Sequence, residues 1–184
     1  MSHFVEQLAG RAAEEGLLDV AYATVDSPLG VLVVAATDRG LVRVGLPGQP
    51  LESVLAQLAD GISPRVMSYP RRLDEARREL DQYFAGKRER FELRVDWRLS
   101  HPGFYRRVLR EASKVPFGEI ITYRQAATRA GSPRAFRAAG SALGSNPVPI
   151  VVPCHRVVRA GGEIGNYGGG PEMKRFLLEL EHAL

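Results

Sequence analysis

Sulfur is scarce in this sequence, and long apolar stretches are missing. One cysteine among 184 residues excludes an intramolecular disulfide and leaves no basis for a cysteine-ligated zinc site; no metal is expected. No apolar run approaches the roughly 18 residues that a membrane span needs, so no membrane partner is expected. Internal repeats and low-complexity tracts are absent as well. Residues 1–16 carry Glu6, Glu14 and Glu15 and lack the basic start and apolar core of a signal peptide. A cytoplasmic location is the default expectation. What is present, 45% hydrophobic and 25% charged residues, is the composition of a globular protein. The length suits one ordinary domain or two small ones.

The net charge of +4 is unevenly spread. Residues 1–100 hold 13 Lys+Arg against 15 Asp+Glu, whereas residues 101–184 hold 12 against 6. Such an excess fits either a solvated basic surface or a face that binds a polyanion.

Along the chain, 1–17 has a weak helical pattern interrupted by Gly10, a candidate N-terminal extension. Three β-like runs follow, Val20–Val25, Val31–Thr37 and Leu41–Leu46, separated by turn residues, which predicts an antiparallel meander. Leu51–Leu58 and Leu73–Phe84 read as helices, and Phe91–Trp97 alternates like a strand. Ser100-His101-Pro102-Gly103 breaks the pattern. The domain boundary is placed there, giving an α/β domain over 1–100 and a mainly helical domain over 101–184.

In the second half, Phe104–Val115 has a helical face of Phe104, Val108 and Ala112. A short helix is predicted over Thr122–Ala130, stopped by Gly131. Ser132 and Pro133 then suit the N-cap and first position of another, ending near Gly144. Two short helices around a tight glycine-containing turn outline a helix-turn-helix. The second helix is built of small residues, among them Ala135, Ala138, Ala139, Gly140 and Ala142. These serve either close helix packing or entry into a narrow groove, with Arg134 and Arg137 as probing cations.

Asn146-Pro147-Val148-Pro149 leads through Ile150–Val152 to Pro153-Cys154-His155-Arg156-Val157. A lone cysteine is commonly an inert core residue, but an adjacent histidine and arginine favour its reactive thiolate. Downstream, Gly165-Asn166-Tyr167-Gly168-Gly169-Gly170 either presents backbone N–H groups to a ligand or forms a flexible loop. An apolar helix carrying Lys174 is predicted over Met173–Leu180, with Glu179 and Glu181 near its end.

Pro153-Cys154-His155-Arg156-Val157 resembles the signature of the O6-alkylguanine-DNA alkyltransferases, the methylated-DNA–protein-cysteine methyltransferases. The likeness extends from Val115-Pro116-Phe117-Gly118-Glu119 through Thr122-Tyr123, Arg137-Ala138-Ala139-Gly140, Asn146-Pro147 and the glycine-rich segment to Leu177-Leu178-Glu179. Residues 20–97 resemble, more loosely, the family's ribonuclease H-like N-terminal domain. The implied fold is therefore an α/β ribonuclease H-like domain followed by a helical domain with a winged helix-turn-helix-like motif.

The resemblance implies stoichiometric, self-inactivating transfer of an alkyl group from O6-alkylguanine in duplex DNA to Cys154. O4-alkylthymine is left open as a further substrate. Cys154 would be the nucleophile, His155 its base through a bridging water, Glu181 the orienter of the imidazole, and Asn146 a bridge between recognition helix and active-site segment. Tyr123 would assist the departing guanine. The nucleotide must be flipped out of the duplex, with Arg137 filling the gap from the minor groove. Phe136, Ala138, Gly140 and Tyr123 would lie against DNA, Phe136 being bulkier than the alanine usual there. Backbone groups of Val157 and Gly168 would read the base, and Pro149, Tyr167, Gly165 and Lys174 complete its pocket. The expected partner is double-stranded DNA containing O6-alkylguanine, bound by a monomer without cofactor.

Three rival readings are weaker. A non-catalytic lesion sensor would lack Cys154. A helix-turn-helix regulator would usually present polar base-reading side chains instead of alanines. A cysteine hydrolase usually draws its histidine from a distant part of the sequence.

Overall fold

The computed structural model describes residues 3–184. It divides into two compact units, Met1–Gln82 with Glu92–Leu99, and Tyr83–Phe91 with Ser100–Leu184.

The first unit opens with helix α1 (His3–Glu14); residues 1 and 2 of the expected extension lie outside the described residues. Strands β1 (Val20–Val25), β2 (Leu32–Thr37) and β3 (Gly40–Gly45) form the antiparallel meander that their turn residues predict. After α2 (Leu51–Gly61), a short strand β4 (Val66–Ser68) joins β1 in parallel and gives the order β3-β2-β1-β4. With only three residues, β4 has no readable alternation, so its sequence carried no strand signal. Val20, Val33, Ala35 and Val42 from the sheet meet Val54 and Leu58 of α2 to form the core. Every residue of β2 is buried, as expected of a strand covered on both faces.

A 3-10 turn at Pro70–Leu73 precedes α3 (Asp74–Phe84), and Leu73, Ala76, Leu80 and Tyr83 supply its buried stripe at helical spacing. The strand expected over Phe91–Trp97 does not form. That segment makes a single parallel bridge, Leu41 to Val95, in which the Leu41 N–H donates to Arg94 O and the Asp96 N–H to Leu41 O, both at 2.8 Å. Asp96 then turns the chain: its carboxylate accepts from the Thr37 hydroxyl at 2.7 Å and from Arg98 at 2.6 Å. A 3-10 turn, Trp97–Leu99, follows. Alternation alone therefore misled, because side-chain hydrogen bonds take over the role of a sheet ladder here.

The second unit contains α4 (Phe104–Ala112), the two-residue strand β5 (Ile121–Thr122), α5 (Tyr123–Arg129), α6 (Phe136–Gly144), strand β6 (Val157–Val158) parallel to β5, and α7 (Gly170–Leu180). Helices α4, α5 and α6 pack on one another. Thr122 caps α5 in a reciprocal box with Gln125: the Gln125 N–H donates to the threonine hydroxyl, and the Thr122 N–H to the glutamine side chain.

Helix α6 starts later than its Ser132-Pro133 signal predicts. Gly131, at φ +82°, and Ser132 instead finish α5, their N–H groups donating to Thr128 O and Ala127 O at 2.9 Å. That is the hydrogen-bond pattern of a Schellman C-cap. With Ser132 committed backwards, Ser132–Ala135 forms a turn and Phe136 becomes the first helical residue.

Gly40 illustrates a packing constraint in the first unit. It lies at φ +130°, and a Cβ there would overlap the carbonyl oxygen of Arg94. Gly40→Ala is expected to cost about 2 kcal/mol or more, through left-handed strain and backbone collision. Thermal denaturation should show a midpoint lower by roughly 4 °C or more; an unchanged midpoint would show that the Leu41–Val95 bridge moves freely.

Candidate active site

The segment between α6 and β6 is shaped by its backbone more than by regular structure. Pro149 and Val152 bridge across a tight turn in which Ile150 takes φ +74°, a conformation that a β-branched residue rarely adopts. The turn is held by Asn146, just beyond α6. Its side-chain oxygen accepts from the Val148 N–H at 3.0 Å, and its amide donates to Val152 O at 2.8 Å and to the Cys154 Sγ at 3.2 Å. Such strain persists only where its surroundings over-determine it. Cys154 then begins a single 3-10 turn, Cys154–Arg156, whose three side chains are all buried.

Behind the cysteine lies a buried ionic network centred on Glu181, the residue that follows α7. Oε1 of Glu181 receives the Tyr83 hydroxyl at 2.6 Å, His155 Nε2 at 2.9 Å and Arg156 Nη2 at 2.9 Å. Oε2 receives Arg156 Nε at 2.7 Å, and Arg156 Nη1 donates to Val115 O at 2.5 Å. Burial pushes the Glu181 carboxyl up, but the hydrogen bonds and charges of His155 and Arg156 outweigh it and hold it at about 2. An ionised carboxylate only accepts, so His155 Nε2 must carry its proton. Nδ1 is then the basic nitrogen, and it is buried without a hydrogen-bond partner among the described residues. Burial also drives the imidazole below its usual 6.5, against the pull of Glu181, so the resting ring is neutral.

Cys154 is 6% exposed. Burial pushes its thiol above the usual value, partly offset by the Asn146 hydrogen bond and by the charge of Lys174. The positive charge expected beside the cysteine does not come from Arg156. Arg156 is engaged with Glu181, His155 is neutral, and the cation acting on the sulfur is Lys174. That amine is buried, donates to Val157 O at 2.5 Å, and is brought down to about 8 by burial.

In front of the cysteine is a cavity of about 680 Å³, lined by Cys154 together with Tyr123, Phe136, Arg137, Gly140, Ser141, Leu143, Gly144, Arg159, Asn166, Tyr167 and Gly168. Tyr123 spans it, its hydroxyl 3.4 Å from Asn166 O. Seven of the residues singled out in sequence thus converge on one cavity, while Asn146, His155 and Glu181 stand behind the sulfur. Ala138 is half-buried on α6. Pro149, Val157 and Lys174 do not line this cavity: Pro149 is buried in the turn, and the Val157 carbonyl is taken by Lys174. Gly165, at φ +69°, faces Tyr123, whose hydroxyl would lie 3.0 Å from an added Cβ.

The outward side of α6 has space to spare. A Cβ on Gly144 would meet nothing within 4 Å, and one on Gly140 would make only ordinary contacts, at 3.8 Å, with Tyr123. Internal packing does not demand glycine at either position.

Tyr83 and Arg159 had escaped sequence reasoning. Tyr83 lies about a hundred residues from its carboxylate partner, and only the fold brings them together. Arg159, just past β6, carried no signal beyond charge.

Residues 103–183 match the profile described as 6-O-methylguanine DNA methyltransferase, DNA binding domain, and residues 20–97 match the ribonuclease-like domain of the same family. The chain belongs to that family. It is 40% identical to the methylated-DNA–protein-cysteine methyltransferase of Mycolicibacterium paratuberculosis, over 88% of this chain and 92% of that protein. It is also 40% identical to the human protein of that name, over 86% of this chain and 78% of the relative. The solved O6-methylguanine methyltransferase of Mycobacterium tuberculosis superposes with a TM-score of 0.77 at 36% identity, covering 89% of this chain and 93% of the other. A structure titled as that organism's OGT in complex with DNA matches equally well. As in the family, a ribonuclease-like α/β domain is followed by a mainly helical DNA-binding domain.

The buried network has a consequence for acid stability. A carboxyl lowered from 4.5 to about 2 contributes stability that is present above 4.5 and lost as pH falls toward 2. His155 acts in the same sense, because below 6.5 the unfolded chain takes up a proton that the folded ring resists. Denaturant titrations should show stability falling from about pH 6.5 and falling further below 4.5. Glu181→Gln should shrink the lower stage, with Asp19 and Asp96, also held below the usual carboxylate value by their hydrogen bonds, keeping the remainder; a wild type with constant stability from pH 6 to 3 would contradict the network.

Proposed function

We propose that this protein repairs duplex DNA by transferring an alkyl group from the O6 position of guanine to its own Cys154, as a methylated-DNA–[protein]-cysteine S-methyltransferase. One observation carries the reading. The chain's sole cysteine lies at the cavity that also holds Arg137 and Tyr123, with the Asn146 amide on its sulfur and the free Nδ1 of His155 on the adjacent residue.

The chemistry follows from the resting protonation states. A buried neutral thiol needs a base at the moment of reaction. His155 takes the thiol proton through a bridging water, and Glu181 stabilises the imidazolium that forms. The sulfur attacks the alkyl carbon in line as the carbon–O6 bond breaks, and the electron pair returns to the guanine ring. Tyr123 assists by hydrogen bonding to the ring, which leaves as ordinary guanine once a proton is returned to it. Lys174 favours the thiolate without touching the sulfur. The products are guanine and a thioether on Cys154. No group in the cavity offers a means of cleaving that thioether, so each molecule acts once.

DNA engagement is assigned to α6. Glycines at 140 and 144 that packing does not require, beside an exposed Arg137, suit a helix that approaches a narrow groove closely. Arg137 takes the place of the extruded nucleotide, and Phe136, Ala138 and Tyr123 lie along the same contact. The base enters the cavity toward Cys154, with Tyr167 and Gly168 beside it; the roles given to Pro149, Val157 and Gly165 are to shape its surroundings. Among the described residues no helix is long and apolar enough to cross a membrane.

Stoichiometry tests the reaction. After mixing with an O6-methylguanine duplex, intact mass should rise by one methyl group, located on Cys154, with a single turnover per molecule. Cys154→Ala should bind the duplex and gain no mass. Repeated turnover, or a methyl on another residue, would refute the mechanism.

Paired rates test the finger. If Arg137 fills the vacated stack, Arg137→Ala makes flipping less favourable by a few kcal/mol. Transfer from the duplex should then fall steeply relative to transfer from free O6-benzylguanine, which needs no flipping. An equal fall in both rates would assign Arg137 to the fold or pocket instead.

A further inference from the structure

Folding leaves one large aromatic side chain uncovered beside the reactive cysteine. Among the described residues, Phe136 is the only exposed large apolar side chain that also lines the cavity of Cys154, and 36% of it remains accessible. It is the first residue of α6. One helical turn and two turns further along the same ridge stand Gly140 and Gly144, so no side chain follows the phenyl ring along that ridge. Two cations from different helices hold it: the guanidinium of Arg124, on α5, lies 5.3 Å from the ring centroid, and that of Arg137 lies 5.6 Å away. Both distances fall within cation–π range. An arginine–aromatic cluster of this kind is chemically suited to stacking on nucleobases.

We propose that Phe136 is a second insertion side chain, an apolar wedge that enters the base stack beside the opening filled by Arg137 and kinks the duplex as the target nucleotide leaves it. Apolar side chains used this way from the minor groove partly unstack a base step and bend the helix away from themselves. On this inference Arg137 and Phe136 enter together. The ring holds the Arg137 guanidinium at the cavity edge before DNA arrives, while Arg124 remains outside, close to the backbone phosphates. The inference rests on the reading of α6 as the DNA-contacting helix, and adds to it a deformation of the duplex that arginine insertion alone does not require.

Phe136→Ala and Phe136→Leu test it, each compared with wild type on an O6-methylguanine duplex and on free O6-benzylguanine. The ratio of duplex to free-base rate should fall on the order of tenfold for Phe136→Ala. Phe136→Leu, which keeps an apolar wedge, should recover most of that loss. Energy transfer between dyes at the two ends of the duplex, measured with Cys154→Ala as the binding protein, should report a bend that Phe136→Ala in the same background reduces. A duplex rate unchanged or raised by Phe136→Ala would overturn the proposal, as would a parallel fall in both rates or an unaltered bend. Failure of the wild type to alkylate Cys154 from either substrate would instead overturn the reading beneath it, and the wedge with it.

Discussion

A carboxylate buried among three donors organises the second unit of this protein. Glu181 sits where water cannot solvate it, and an isolated charge there would be untenable. Arg156 neutralises it through two hydrogen bonds, and Tyr83 and His155 fill its remaining acceptor positions. Ionisation of the carboxylate settles the tautomer of His155, and the tautomer settles which nitrogen can act as base. Thus the proton-accepting nitrogen of His155 is set from behind the cysteine, by groups that do not line its cavity.

The sulfur is kept differently. Its surroundings favour the neutral thiol, with the Asn146 amide, the Lys174 ammonium and the backbone N–H groups of Cys154 and His155 set against that preference. A neutral thiol of this kind is a poor nucleophile until its proton is removed. The strained turn at Ile150 serves the same end. The backbone accepts an unfavourable conformation, and the three hydrogen bonds of Asn146 keep it there, so that Cys154 faces the cavity while His155 and Arg156 face Glu181. One side of this 3-10 turn meets the cavity and the other the buried carboxylate.

Much of this was legible beforehand. The meander β1–β3 follows from alternation and turn residues, and the helical second half from caps and glycine stops. Cys154, His155 and Glu181 emerge from a resemblance that spans most of the second half. Errors arose where a local signal had two possible partners. Ser132 is a good helix N-cap by composition, yet its N–H closes the preceding helix instead. Phe91–Trp97 alternates like a strand, yet Asp96 turns the chain through side-chain bonds that no periodicity records. Arg156 stands beside the cysteine in sequence and points away from it in space.

Sequence alone thus determined the kinds of groups available: a single thiol, a histidine adjoining it, a surplus of arginine in the second half, and a helix made of small residues. Those are properties of composition and near-neighbour order, which one-dimensional pattern can express. The tertiary structure decided which groups face one another. It brought Tyr83 to Glu181, set Lys174 rather than Arg156 as the cation acting on the sulfur, and left the ring of Phe136 uncovered at the cavity edge. Each of these depends on burial and on distances between residues remote in the chain, and electrostatic strength and desolvation follow distance and burial rather than sequence separation.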